Sequence, residues 1–135
     1  MTTEDKDLLL KDLCARLSSG LKIHHGRDKG HFGHDVKSVD ANRGVVNDWM
    51  LIESCKPYLR PMSSMTKEEF DEYEKANDID TADSHKAIEV NTKGGKYISS
   101  WYHGVDWLIA NHFDYRGLIP MGLALEAPKG MYKTK

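Results

Sequence analysis

Apolar side chains in the first seventeen residues recur at spacings of three and four, so that Leu10, Leu13, Cys14 and Leu17 fall on one stripe. That period predicts an N-terminal helix with one face turned to a core. Thr2 with Asp5 three positions on is a capping-box pair, and Ser18, Ser19 and Gly20 read as the stop. Glycine there is free to take the left-handed conformation that closes a helix. The period then shortens to two. "LKIHH" (21–25), "DVKSVD" (35–40), "GVV" (44–46) and "WMLIES" (49–54) are short, partly alternating runs, separated by Gly26, Gly30, Gly33, Asn42 and Asn47. They predict a small antiparallel sheet or an SH3-like barrel. In "KPYLRPM" (56–62) two prolines four apart predict an extended, poorly paired connector leaving the sheet.

Beyond it, Thr66 and Glu69 form a second capping box, and Met65 and Phe70 stand where a hydrophobic staple requires them, which predicts a helix over 67–76. "NDIDTADSH" (77–85) has no apolar period and reads as a solvated loop. "AIEV" (87–90) and "KYIS" (96–99), joined through Gly94 and Gly95, read as a hairpin. A third helix is expected over 100–112, its stripe being Trp101, Val105, Leu108 and His112 with Trp107 and Ile109 beside it. The tail breaks at Gly117, Pro120 and Gly122 and is expected to fold back through Leu118, Ile119, Leu123 and Leu125.

The expected fold is therefore α+β. A helix with its sheet or barrel occupies 1–62, and a helix, hairpin, helix and tail over 63–135 pack on it as one compact unit. The expected core is Leu10, Leu13, Leu17, Ile23, Val45, Leu51, Phe70, Trp101, Val105 and Leu108.

At 135 residues there is one domain's worth of chain, long enough to bury a core without disulfides. Nineteen Lys and Arg against 21 Asp and Glu leave a net charge of −2, so no global field draws the molecule to nucleic acid or membrane. The acidic "MTTEDKDLLLKDL" is unlike a basic export signal, and three leucines fall short of a membrane span. The expected location is the cytoplasm. Cys14 and Cys55 lie in apolar contexts without ligand-like spacing and are expected to be buried free thiols.

Charge matters locally. Lys67 to Asp83 holds eight acids and two lysines, whereas segment 22–43 holds five Lys or Arg against three Asp. That second segment contains "KIHHGRDKGHFGH", with four of the seven histidines. His24, His31 and His34 with Asp28 or Asp35 form a conceivable zinc-type ligand set. However, Gly30 and Gly33 favour a turn over the helix that H-x-x-H needs, and adjacent His24 and His25 point to opposite faces of a strand. No metal or other cofactor is assigned. No nucleophile motif or phosphate loop is present, and Glu68 with Glu72, one helical turn apart, reads as a solvated face, so no catalytic residue is assigned.

In "LLLKDLCARL", "CKPYLRPMSSMTKEE" and "FDYRGLIPMGLALEAPKGMY" the chain resembles a group of small proteins encoded by phages and prophages of gut anaerobes. The resemblance covers about a third of the chain and implies an N-terminal helix, a small β module, the "KPYLRPMSSMT" connector and a similar tail. It implies no activity, cofactor or catalytic residue. "HHGRDKGHFGH" and Pro120 depart from the pattern.

Together these features predict a non-catalytic binding module acting on a host or phage protein in the bacterial cytoplasm, its contacts carried by Glu68, Glu72 and Asp78. The alternative is nucleic-acid binding through Lys22, Arg27, Lys29, His31 and His34. A second alternative is a metal-dependent enzyme built on the histidines.

Overall fold

The computed structural model describes residues 1–26, 33–78, 88–91, 97–100 and 102–132. The chain divides into two units: Met1–Leu59 with Leu118–Lys135, and Arg60–Gly117.

The first unit begins with helix α1 (Thr3–Ala15), whose predicted Thr2–Asp5 capping box is formed. Gly20, with φ 81°, ends the turn that follows. The buried stripe of α1 runs through Leu9, Asp12, Leu13 and Arg16, with Leu10 at its margin. Cys14 is exposed and Leu17 is 37 % exposed, against the expectation that both are buried. The reason is electrostatic. Asp12 and Arg16, one turn apart, form an ion pair of 2.9 Å with neither side chain exposed, so two charged positions occupy the inward face that hydropathy would give to Cys14 and Leu17.

Six short strands follow: β1 (Lys22–His25), β2 (His34–Asp35), β3 (Val39–Asp40), β4 (Val45–Val46), β5 (Met50–Leu51) and β6 (Cys55–Leu59). "DVKSVD" is thus split between two strands, and a 3-10 turn at Ile52–Ser54 interrupts "WMLIES". The C-terminal segment adds β9 (Leu125–Glu126), numbered after the hairpin strands β7 (Ile88–Asn91) and β8 (Tyr97–Ser100) of the second unit. In the first unit the strands form a four-stranded sheet in the order β2-β1-β6-β9 and a β3-β4-β5 meander. Among the described residues these sheets do not close into a barrel.

β6 is central, not the poorly paired connector that its proline predicts. It pairs antiparallel with β1 and parallel with β9. Register explains how Pro57 fits. The Gly26 N–H donates to the Ser54 carbonyl at 2.8 Å, and bonded pairs alternate along an antiparallel ladder. His24 opposite Lys56 is therefore the next bonded pair, and Ile23 opposite Pro57 is a non-bonded pair that asks no N–H of the proline. On its other side β9 reaches only Tyr58 and Leu59.

One step further the bonded pair would be Lys22 with Tyr58. There the Tyr132 hydroxyl accepts from the Lys22 N–H at 2.9 Å and donates to the Tyr58 carbonyl at 2.7 Å. The tail folds back as expected: Leu118, Leu123 and Ala124 join Leu9, Leu13, Leu21, Ile23, Val46, Met50, Ile52 and Leu59 in one core, with Ile119 against it.

The second unit contains helix α2 (Lys67–Asp78), the β7–β8 hairpin and helix α3 (Tyr102–Ala110). α2 extends through Asn77 and Asp78, which were expected in a loop; residues 79–87, the turn through Gly94 and Gly95, and Trp101 lie outside the described residues. The Thr66–Glu69 box is formed. Met65 and Tyr73 are buried with Val105, Leu108, Phe113 and Tyr115, and Phe70 packs against them.

α3 ends at Ala110 in a Schellman motif. The Phe113 N–H bonds the Leu108 carbonyl at 2.9 Å and the His112 N–H bonds the Ile109 carbonyl at 3.0 Å. His112, expected on the helical stripe, occupies the left-handed position with φ 64°. Both terminal guanidinium nitrogens of Arg60 donate to Glu69, at 2.7 and 2.8 Å, and the group lies 4.2 Å from the Phe113 ring centroid. This partner holds the Glu69 carboxyl below its usual range.

Asp12→Ala is expected to cost about 3–5 kcal/mol in urea denaturation by taking this carboxylate from a buried guanidinium, whereas the apolar pair Asp12→Leu with Arg16→Met should recover at least half of that loss. Burial raises the Tyr132 phenol from 10.0 to about 12. The fold thus favours the neutral form, and the stability this contributes is complete below pH ~10 and lost as pH rises toward about 12. Tyr132→Phe should abolish that alkaline slope in denaturation midpoints measured between pH ~8 and 11, while losing about 1–3 kcal/mol at neutral pH.

Candidate functional site

The site grows from the turn between β4 and β5. Val46 pairs with Met50, and the Trp49 N–H bonds the Val46 carbonyl at 3.3 Å. The central residues, Asn47 and Asp48, have φ 53° and 68°. Two left-handed residues in succession define a primed hairpin turn, which normally recruits glycine. Here neither is glycine, although Asn and Asp tolerate this region better than other side chains. Trp49 is then an extra residue between the hydrogen-bonded turn and the Val46–Met50 pair, and the bulge directs its side chain outward.

Asn47 fastens this turn to the segment before β3. Its Oδ1 accepts from the backbone N–H groups of Lys37 at 2.7 Å and Ser38 at 3.2 Å, and its Nδ2 donates to the Asp35 carbonyl at 2.8 Å. Its own N–H donates to the Ser38 carbonyl at 2.9 Å. Four hydrogen bonds therefore hold one strained residue.

From this turn, through β5 and into the 3-10 turn, exposure alternates. Met50 and Ile52 are buried, while Trp49 is 60 % and Leu51 56 % exposed. Leu51, expected in the core, is corrected to the outer face. Positions 49 to 52 are all apolar, so composition alone could not say which parity faces inward.

Two imidazoles flank the indole. The Trp49 ring centroid lies 5.0 Å from that of His25, tilted 57°, and 6.1 Å from that of His34, edge-on at 85°. Both histidines share a face because Ile23 stands opposite His34 and side chains alternate along β1. His24 therefore points the other way, edge-on to Tyr58 at 6.1 Å. The conceivable ligand set of His24 with His34 is thus split by the sheet, and no cluster of three His, Cys, Asp or Glu able to hold a metal ion occurs among the described residues. Gly33 permits the close approach of this hairpin, since a Cβ there would come within 2.6 Å of the Lys22 Cβ.

Two ion pairs lie along these segments, that of Lys22 with Asp35 on the His24 face of the sheet by the same alternation. The Lys22 ammonium lies 2.7 Å from the Asp35 carboxylate and lowers its pKa. Arg43 lies 3.7 Å from Asp40, and its other terminal nitrogen approaches the Asp48 carbonyl at 3.5 Å. Among the described residues of 22–48, Lys22, Lys37 and Arg43 stand against Asp35, Asp40 and Asp48; over the whole segment Arg27, Asp28 and Lys29 bring the sequence to five against four. Of the nucleic-acid candidates, Lys22 is thus already paired and His34 packs on Trp49. Arg27, Lys29 and His31 lie outside the described residues, as does Asp28.

The acidic candidates belong to the other unit. Glu68 and Glu72 are exposed on α2, as are Asp71 and Glu74, and Asp78 is its last residue. Glu69 is set apart by its bond to Arg60. Cys55 is buried as expected, its thiol directed at the Leu51 carbonyl at 3.3 Å. Asn47 is the turn-former that the sequence predicts, but the exposure of Trp49 beside it escaped sequence reasoning, although "VVNDWM" carried the signal: Asn-Asp between two apolar runs is turn chemistry that presents the next residue.

Comparison of the chain with protein-family models, curated proteins and solved structures returns no match. No helix among the described residues is long and apolar enough to cross a membrane.

The turn predicts an order of stabilities in urea denaturation. Asp48→Gly should remain within about 1 kcal/mol of the parent, strain relief offsetting added chain entropy. Asn47→Gly should lose about 1–3 kcal/mol with its side-chain bonds, and Asn47→Ala should lose more because the left-handed strain persists.

Proposed function

We propose that the chain is a non-catalytic binding module whose partner is a protein and whose anchor is Trp49. The observation that carries this reading is the large indole left 60 % exposed with Leu51 on a turn held by Asn47. Tryptophan is prominent among the few residues that dominate protein interfaces, and a fixed anchor loses little entropy on binding. The resemblance to phage and prophage proteins supports an accessory role against a host or phage protein in the bacterial cytoplasm.

A second contact is supported by the outer face of α2. Among the described residues no ion pair occupies Glu68, Asp71, Glu72 or Glu74, which leaves their charge available to a basic partner.

The test is affinity purification followed by measurement on the isolated partner. Trp49→Ala is expected to weaken binding by at least about tenfold with an unchanged unfolding midpoint, because the ring lies mostly outside the core. Combined Glu68→Gln, Glu72→Gln and Asp78→Asn should matter only for a basic partner, and then less at high salt. Unaltered affinity for the Trp49 variant would remove the anchor reading.

A further inference from the structure

We infer that residues 128–132 form a strap that closes the first unit by seating the Tyr132 phenol in a fork between β1 and β6, and that opens about its own turn while the strands stay folded. This device is independent of the role proposed for Trp49.

Register builds the fork. The Val36 N–H donates to the Leu21 carbonyl at 3.1 Å, so Lys22 opposite Asp35 is a non-bonded pair on the β2 side, and its own N–H and carbonyl point toward β6. Tyr58 stands two positions beyond Lys56, the partner of His24 in the last bonded pair, and by the same alternation its carbonyl points back toward β1. Ladder pairing nevertheless stops at Ile23 opposite Pro57. The next rung holds the Tyr132 hydroxyl, which accepts from the Lys22 N–H at 2.9 Å, donates to the Tyr58 carbonyl at 2.7 Å and lies 3.4 Å from the Lys22 carbonyl. A phenol is donor and acceptor at once, which is what a fork of one N–H and two carbonyls requires.

The chain reaches this fork from the other side of β6. β9 pairs with Tyr58 and Leu59, and the Ala127 N–H donates to the Leu59 carbonyl at 2.8 Å. Residues 128–132 therefore cross β6, bridging strands about 5 Å apart with a stretch able to span about 17 Å. A turn takes up the slack. The Met131 N–H bonds the Pro128 carbonyl at 3.0 Å, Gly130 is left-handed with φ 82°, and Lys129 and Gly130 are exposed. Upstream, the tail is held separately through Leu118, Leu123 and Ala124 in the core. An exposed turn closed by a bond within itself belongs to the class of segment that opens below the free energy of global unfolding. Its opening uncovers the Lys22 and Tyr58 groups of the fork.

Amide hydrogen exchange of the full chain, followed by NMR across sub-denaturing urea, tests the strap. The Lys22 N–H loses its acceptor when the phenol leaves. It is expected to be at least about tenfold less protected than the His24 N–H, and to exchange at a rate nearly independent of urea, whereas the His24 rate should climb with urea as global unfolding does. The Ala127 N–H should follow His24. Gly130→Ala distinguishes strap opening from fraying of β1, because a Cβ there meets nothing within 4 Å while the left-handed turn disfavours it. In that variant Lys22 exchange is expected to rise at least about fivefold.

An unchanged Lys22 rate beside a faster His24 rate in Gly130→Ala would assign the opening to the strand end and overturn the strap. Equal protection and equal urea dependence of Lys22 and His24 would overturn it as well, tail and sheet then opening only together. Ala127 exchanging with Lys22 would also overturn it, since the whole β9 tail would then be the moving part. The comparison of Lys22, His24 and Ala127 in the parent protein decides the matter should Gly130→Ala fail to fold.

Discussion

A guanidinium with no exposed surface must be neutralised where it lies, and the Asp12–Arg16 pair does this inside the first unit. Spaced at i and i+4 near the end of α1, the two side chains face inward together and so determine how the helix is rotated. With them inward, Leu9 and Leu13 face the core while Cys14 and Leu17 turn to solvent. Separating the charges would break a contact between two fully buried ions, so any rotation of the helix that parts them carries a penalty of several kcal/mol. Even the Tyr132 phenol feels the Arg16 charge, which opposes the effect of burial on its ionisation.

β6 is organised by a comparable economy of polar groups. A proline in a central strand lacks a donor, and the register places that gap opposite Ile23, where the ladder requires none. At the next bonded position a tyrosine hydroxyl from the far end of the chain serves Lys22 and Tyr58 together. Residues 22, 58 and 132 thereby meet through three hydrogen-bonding groups of one small network, and the tail becomes part of the sheet.

The Trp49 turn shows the opposite tendency. Two left-handed non-glycine residues and two large apolar side chains in solvent all work against stability. The four bonds of Asn47 hold that arrangement in place, and His25 and His34 support one side of the ring. Locally unfavourable geometry maintained by its surroundings is the observation on which the proposed anchor role of Trp49 rests.

Local chemistry determined what could be read from sequence by itself. The two capping boxes, the left-handed Gly20, the α+β pattern and the opposition of His24 to His25 each depend on neighbours within a few residues. The acidic face of α2 was legible for the same reason, because one helical turn brings its members together. Tertiary structure decided the rest. The rotation of α1 depended on two charges cancelling each other, which a hydropathy pattern scores as solvent-facing. Whether Leu51 or Met50 faced inward depended on the strand beside it, since both parities of "WMLI" are apolar. Pro57 became admissible in a central strand only when the phase of the β1–β6 ladder was known. The aromatic group of Trp49, His25 and His34 required three separate segments, at residues 22–25, 34–38 and 47–51, to meet, and no spacing along the chain records such a meeting.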